Sequence, residues 1–443
     1  MKRRIILIDL HWTRDKDPRV PLGHASLLAS LALEPSVDTR SIVRAVNAQP
    51  VAIEDLADEI LGHARGLPPD AVDIGIGAYV WAEHIIVQLL PLLRARGFRG
   101  RLILGGPQIS YAGPGIAKAY PEADVLVRGY GEQVLRELVR SPERIRVPGA
   151  CWAGDIDTCT QASVEFAELP SPWLTETIPL AGQRFVRWET QRGCPFRCAF
   201  CQHREPGARL RRRSFDGDRL SEEIDLLCRC GVEDIAVLDP IFNVGPEAHR
   251  VLERFSSRGF TGRLSLQCRA ESLSADFLAL AAGLDVRLEL GLQTIHEAEG
   301  TAIDRRNHID RVDDALARLR RLSIDHEVSL IHGLPEQTLA SFEASIDWCL
   351  RRRVPVLKAF PLMLLRGTKL ERERERWSLE EDGAVMPMVV ASSSFDRHEH
   401  HRMACLAEAL ARTEGRHPSG IDELRRIASG LEVTRGRWQP TAE

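Results

Sequence analysis

Two rhythms alternate along the chain. Short apolar runs at residues 5–9, 72–79, 101–105 and 124–127 end in turn-forming or polar residues, and the segments 23–33 and 83–96 between them place apolar side chains at helical spacing. Runs of that length bounded by turn signals read as strands, and recurrence at three and four positions reads as helix. Alternating strand and helix implies a doubly wound parallel sheet with helices on both faces, and such sheets bind ligands at the carboxyl ends of their strands. From residue 185 the rhythm resumes, with a helix at 220–229 and strands at 234–243, 263–269, 286–293, 327–335 and 356–362. Successive parallel strands with helical crossovers suggest a barrel, and polar residues concentrate at the strand ends, where barrel active sites are built.

Residues 150–184 interrupt both rhythms. They are rich in polar and turn residues, including Leu169-Pro-Ser-Pro-Trp-Leu174, and such punctuation marks a linker. After residue 370 the chain is strongly charged and helical, and residues 371–376 alternate in sign as a solvated helix face does. His398, His400 and His401 invite a metal reading, but positions two apart do not share a helix face. Phe395 and Asp396 are candidates to close the barrel mouth. The expected organisation is a sheet domain over 1–149, a linker over 150–184, a barrel over 185–370 and a helical region over 371–443.

A chain of 443 residues is too long for one ordinary core, which agrees with two domains. The net charge of -4, with no basic block, argues against a nucleic-acid partner. The apolar run after Met1-Lys-Arg-Arg is a few residues long and ends at Asp9, so it reads as a first strand rather than a signal peptide. No stretch approaches the roughly 20 apolar residues of a spanning helix, and the expectation is a soluble cytoplasmic protein. Of ten cysteines, seven are scattered without finger-like or knot-like spacing, as in a reducing compartment.

The other three are Cys194-Pro-Phe-Arg-Cys198-Ala-Phe-Cys201. Three thiolates at this spacing can hold three corners of a cubane and leave one iron open to a non-protein ligand. Zinc is the alternative, and it would want a fourth Cys or His, for which His203 is the nearby candidate. The spacing resembles the signature of the radical S-adenosylmethionine (SAM) superfamily, with Phe200 at its aromatic position. The resemblance implies a [4Fe-4S] cluster on Cys194, Cys198 and Cys201, SAM on the open iron, and a partial (β/α)6 barrel. It also sets the backbone of Phe200 near adenine, and Gln267, Arg269, Glu271, Glu289 and Gln293 around SAM.

Four strand ends come in order before the barrel: Val20-Pro-Leu-Gly-His24, Gly75-Ile-Gly-Ala-Tyr-Val-Trp81, Gly105-Gly-Pro-Gln-Ile-Ser110 and Arg128-Gly-Tyr-Gly-Glu132. The series resembles the Rossmann-like cobalamin-binding domain that precedes many radical SAM barrels. Gly105 and Gly106 would let the backbone approach a large ligand, and Tyr79 and Trp81 would pack on a corrin face. Asp9-Leu-His-Trp-Thr-Arg14 departs from the Asp-x-His-x-x-Gly cobalt-ligating motif at Arg14, so the resemblance leaves cobalamin itself open.

The domain order resembles radical SAM diol-dehydratases of aminoglycoside antibiotic biosynthesis, which implies radical dehydration of an amino sugar. Asp239 and Glu271 are the acid or base candidates, and Asp239 and Asn243 are expected to face the mouth. The alternative is cobalamin-dependent C-methylation of a natural product, and a further alternative is a non-catalytic iron–sulfur protein. The implied partners are a small-molecule substrate, an electron donor of flavodoxin or ferredoxin type, and a separate reductase.

Overall fold

The structure is a computed structural model that describes residues 2–203 and 212–431. Met1, residues 204–211 and residues 432–443, the last stretch assigned above to the helical region, lie outside the described residues. The chain forms two compact units, one running to Ala181 and the other from Gly182 onward.

The first unit is a six-stranded sheet of β1 (Arg3–His11), β2 (Val37–Ala45), β3 (Val72–Gly77), β4 (Arg101–Gly105), β5 (Val125–Val127) and β6 (Ala150–Trp152). Their order is 2-1-3-4-5-6. The first five are parallel and β6 runs antiparallel beside β5. The near-continuous apolar run of β1 suits a strand covered on both faces: Ile6, Ile8 and Leu10 enter one core, and Ile5 and Leu7 the other. Edge strand β2 buries only Ile42, so its largely polar sequence does not announce a strand. Because the chain visits β2 before crossing to β3, the winding reverses between β1 and β3 and opens a crevice at their carboxyl ends.

Residues 150–162 belong to this sheet. Beyond the pairing of β6, Ala162 donates its N–H to Arg128 O at 2.8 Å and Arg128 donates its own to Gly149 O at 2.8 Å. Gly129 (φ 81°) must be glycine, since a Cβ would lie 2.6 Å from Ala162 O. The Arg128 side chain, 1% exposed, pairs with Asp157 at 2.5 Å and donates to Ile109 O and Ala112 O at 2.6 and 2.7 Å. One guanidinium thus gathers the loop after β4 and the segment after β6.

The second unit is a six-stranded, all-parallel sheet of β7 (Phe185–Trp188), β8 (Asp234–Val237), β9 (Arg263–Cys268), β10 (Asp285–Gln293), β11 (Asp325–His332) and β12 (Val356–Pro361). Strand order follows chain order. With right-handed crossovers, sequential winding puts every helix on one face and leaves the other as a lumen. The side chains alternate to match: Leu264, Leu266, Leu288, Val328 and Leu330 are buried, while Ser265, Gln267, Glu289, Ser329 and Lys358 occupy the opposite phase. A polar face on a parallel strand is the mark of a lumen meant to hold something.

Past the barrel, only Lys369–Arg372 of the charged stretch is helical, and residues 373–377 are turns rather than the helix face expected there. The long helix is Arg397–Arg412, opened by a capping box between Asp396 and Glu399. Asp396 is used by that cap, and Phe395 is buried against His400. Among the described residues no helix is long and apolar enough to cross a membrane.

Arg128→Leu should destabilise the first unit by about 3–5 kcal/mol, because it strands a buried Asp157 and several carbonyls. Urea denaturation of wild type and variant checks this, and a loss below about 1 kcal/mol would contradict the clamp.

Candidate functional site

After β7 the chain makes a two-residue strand, Gln191–Arg192, paired antiparallel with Arg213–Ser214, and the three cysteines follow in a stretch without regular structure at the carboxyl rim of the parallel strands. Gly193, at φ 84°, turns the chain into the loop. The loop is then pinned at its start and at Ala199. Thr190 and Gln191 donate their N–H groups to Asp239 Oδ1 at 2.8 and 3.2 Å, and the Thr190 hydroxyl donates to Asp239 Oδ2 at 2.5 Å. Ala199 donates to Ile303 O at 2.8 Å and accepts from Leu370 N at 3.0 Å. Phe200 is half-buried between Ala199 and Cys201.

Among the described residues, each of the three sulfurs has a hydrogen-bond donor. Cys194 takes the N–H of Phe196, Cys201 takes the N–H of His203 at 3.3 Å, and Cys198 takes Nη1 of Arg305 at 3.7 Å. Burial pushes the Cys194 thiol up and the Cys201 thiol up to about 12, with the neighbouring thiols adding to it and Arg305 opposing it. Among the described residues no three groups close on a mononuclear ion site. A cubane spreads its ligands over separate irons and does not ask for that closure. Thiols that already attract hydrogen-bond donors fit a cluster that keeps them as thiolates.

The expected SAM contacts collect on the same rim. Gln267 and Glu289 are in register on β9 and β10, on the lumen phase. Arg269 lies with its guanidinium carbon 4.2 Å from the centre of the Phe196 ring, donates to Arg306 O at 2.9 Å, and pairs with Glu271 Oε2 at 3.4 Å. It therefore touches the cysteine loop directly. Gln293 ends β10 in the left-handed region (φ 70°) at an irregularity in the ladder. Oxygen atoms of Gln191, Glu271, Gln293 and Asn307, and Nε of Arg305, are buried here without a hydrogen-bond partner. Orphaned buried polar atoms need partners, and a ligand with carboxylate, amino and hydroxyl groups, as SAM has, fits them.

Asp239 is fully buried and both its oxygens are committed to residues 190–191. Burial raises its pKa to about 7. Asn243 exchanges two 3.0 Å hydrogen bonds with the backbone of Arg269. Both residues set the positions of loops rather than face the mouth. Arg305 and Asn307 were not anticipated: Asn307 donates to Leu292 O and Thr294 O at 2.7 and 2.8 Å and so caps β10. The run Asp304-Arg-Arg-Asn-His308 after a strand-end motif was the signal available.

In the first unit, the switch point between β1 and β3 carries a second constellation. Asp9, 5% exposed, has Oδ1 3.5 Å from His11 Nδ1 and Oδ2 3.9 Å from His24 Nδ1, and His24 shares a 2.8 Å hydrogen bond with Ser41. Burial raises the Asp9 pKa to about 7 and lowers that of His24 to about 4, helped by His11. The Tyr79 and Trp81 rings stack on each other at 4.9 Å, and the Trp81 indole N–H donates to Leu10 O at 3.0 Å across the switch point. Gly106 (φ 91°) would set a Cβ 2.8 Å from Ala78 O, and Gly105 O accepts from Ala78 N at 2.7 Å. The close approach that Gly106 permits is thus to the loop after β3, and a Cβ on Gly105 would meet only ordinary contacts with Val127, which replaces the expectation of direct approach to a ligand. Asp9 Oδ1 and Trp12 Nε1 are buried without a hydrogen bond, so this edge also fits a ligand with polar groups of its own. Arg14, where glycine would complete the cobalt-ligating pattern, instead opens a turn closed by Asp17.

Residues 188–349 match the family model of the radical SAM superfamily. The chain is similar to the cobalamin-dependent radical SAM methyltransferase TokK of Streptomyces tokunonensis, at 27% identity over 66% of this chain and 46% of that one. It is also similar to the 2-(S-pantetheinyl)-carbapenam-3-carboxylate methyltransferase of Streptantibioticus cattleyicolor, at 28% identity over 66% and 46%. The chain thus spans about half the length of these curated relatives. A solved structure of the cobalamin-dependent SAM radical enzyme OxsB, with aqua-cobalamin and SAM bound, shares the fold with TM-score 0.70 at 16% identity, over 96% of this chain and 72% of that one.

Cys198→Ala should lower iron uptake on anaerobic reconstitution and abolish SAM cleavage; retained cleavage would mean that the cluster lies elsewhere. Asp239 supplies a pH dependence. With a folded pKa of about 7 against an ordinary 3.8, the folded state holds the extra proton between those values, so stability falls as pH rises from about 4 through about 7. Asp239→Asn should flatten that slope at a cost of about 1 kcal/mol, read as urea midpoints across the range.

Proposed function

We propose that this chain, which carries a radical SAM domain, is a cobalamin-dependent radical SAM C-methyltransferase acting on a small polar natural-product substrate. The observation that carries the reading is the pairing, in one chain, of a three-thiol loop at a barrel rim with a switch-point crevice containing buried polar atoms that lack partners. Similarity to two methyltransferases supports it. Dehydration of an aminoglycoside amino sugar, the first expectation, has no support in those similarities, and its methylating alternative fits them better. The commitment of Asp239 to the Thr190–Gln191 backbone adds to this, because expelling a hydroxyl requires a free acid and base, whereas replacing hydrogen by methyl at carbon does not.

When bound, the cluster and SAM supply one-electron cleavage of a sulfonium to a 5'-deoxyadenosyl radical, and methylcobalamin supplies a methyl group. The chain's own residues position and shield. Cys194, Cys198 and Cys201 would hold the cluster. Arg269 fixes the loop through Phe196, and with Gln267, Glu271, Glu289 and Gln293 would receive the polar groups of SAM. The lumen beyond offers Ser329 and the Lys358–Glu327 ion pair, 2.8 Å apart, to a polar substrate. Exclusion of water there protects a carbon radical from side reactions. Tyr79 and Trp81, at the switch point, would meet the corrin. An external one-electron donor, of flavodoxin or ferredoxin type, completes the requirement.

Anaerobic reconstitution with iron, sulfide, SAM and a reductant, with and without methylcobalamin, tests the proposal. The expected result is equal S-adenosylhomocysteine and 5'-deoxyadenosine with a methylated product, only when methylcobalamin is present. A product lighter by water without it would restore the dehydratase. Trp81→Ala should weaken cobalamin retention by up to about tenfold, the scale of a lost aromatic contact, while iron content stays at the wild-type level.

A further inference from the structure

Two of the three hydrogen bonds to the cysteine sulfurs come from N–H groups of the loop itself. The third crosses 107 positions of sequence, from Arg305 to Cys198. The backbone of Arg305 is pinned for this. Its N–H donates to Gly300 O at 2.8 Å, and a Cβ on Gly300 would lie 2.7 Å from Arg305 O, so no larger residue fits there. Asp304, just before it, is held at φ 51°. The preceding residue, Ile303, accepts the Ala199 N–H, so loop and arginine share one anchor. At the far end, Nη2 donates to Gly291 O. Among the described residues, Arg269 is a second cation against the loop, and it engages Phe196, Glu271 and Arg306 O.

We propose that Arg305 is a positioning residue that fixes Cys198 for ligation and, by donating to its sulfur with a full positive charge, raises the potential at which the cluster accepts its electron. The inference rests on the cluster reading of the three cysteines. The physical basis is that iron–sulfur potentials follow net charge, hydrogen bonds to sulfur and exposure, and a nearby cation favours the state with one more electron. The step concerned is the entry of a single electron from the external donor, with no bond made or broken.

The test uses the full chain, reconstituted anaerobically without SAM, as wild type, Arg305→Lys and Arg305→Met. Samples are poised at fixed potentials, and the reduced cluster is quantified by electron paramagnetic resonance. At the wild-type midpoint, the reduced-to-oxidised ratio should fall about tenfold in the Met variant, equivalent to about 59 mV for one electron, and less in the Lys variant, which keeps the charge. The signal arises from assembled cluster alone, so partial assembly does not blur the ratio. If the Met variant assembles none, Arg305→Gln is read in its place. An unchanged ratio in the neutral variant overturns the proposal. Failure of the wild type to bind iron overturns the cluster reading itself, a separate outcome.

Discussion

The loop that carries Cys194, Cys198 and Cys201 has no regular secondary structure, so its backbone polar groups must find partners in other elements. Much of the second unit is arranged around that requirement. Asp239, at the end of β8, gives up both oxygens to Thr190 and Gln191, and Ile303, beyond β10, accepts from Ala199. Leu370, beyond β12, donates to Ala199 O, so the loop joins the two ends of a sheet whose edge strands β7 and β12 do not pair. A loop held from three elements keeps three thiols in fixed relation without a helix or strand to carry them.

Charge is managed by the same economy. Three thiolates and their cluster would be costly to bury alone, and two arginines, Arg269 and Arg305, stand against the loop. Each is itself tethered to a backbone carbonyl, Arg306 O and Gly291 O, which preserves their direction when the ligand is absent. The first unit uses its buried arginine differently. Arg128 is saturated by Asp157 and backbone carbonyls, and so stiffens the loops beneath the crevice without facing it. At the crevice itself lie Asp9, His11 and His24, with burial holding Asp9 partly protonated and His24 neutral near pH 7.

The two units meet the same problem, presenting polar groups at a rim, with different windings. In the first, order 2-1-3-4-5-6 opens a crevice where the chain reverses. In the second, sequential order leaves a lumen, and strict alternation along β10 gives that lumen its polar lining. The proposed C-methylation, which would draw on a cluster with SAM and on methylcobalamin, would need both kinds of site.

The cysteine spacing, the strand and helix rhythm of both units, and the places of Gln267, Glu289 and Gln293 on barrel strands and of Arg269 just after one were legible because each is a local pattern of period or spacing. Edge strand β2 was not, since a strand with one buried residue carries no apolar signal. Nor were the short strand β6, hidden in a turn-rich segment, or the departure of residues 373–377 from helix, where charge alternation spoke for a helix and tertiary packing decided otherwise. The roles of Asp239 and Asn243 could not be separated from those of ligand-facing residues, because a carboxylate spent on a neighbouring backbone and one aimed at a substrate look alike in sequence. Gly106 announced a close approach but not to what. Arg305 reaches Cys198 across more than a hundred residues, with its backbone held against Gly300, a pairing that no local pattern announces. The sequence by itself determined which chemistry the chain can support, since ligand identity and spacing are covalent facts. Which polar groups remain for a ligand was decided only by the fold, because it depends on which of them other backbone groups have already taken.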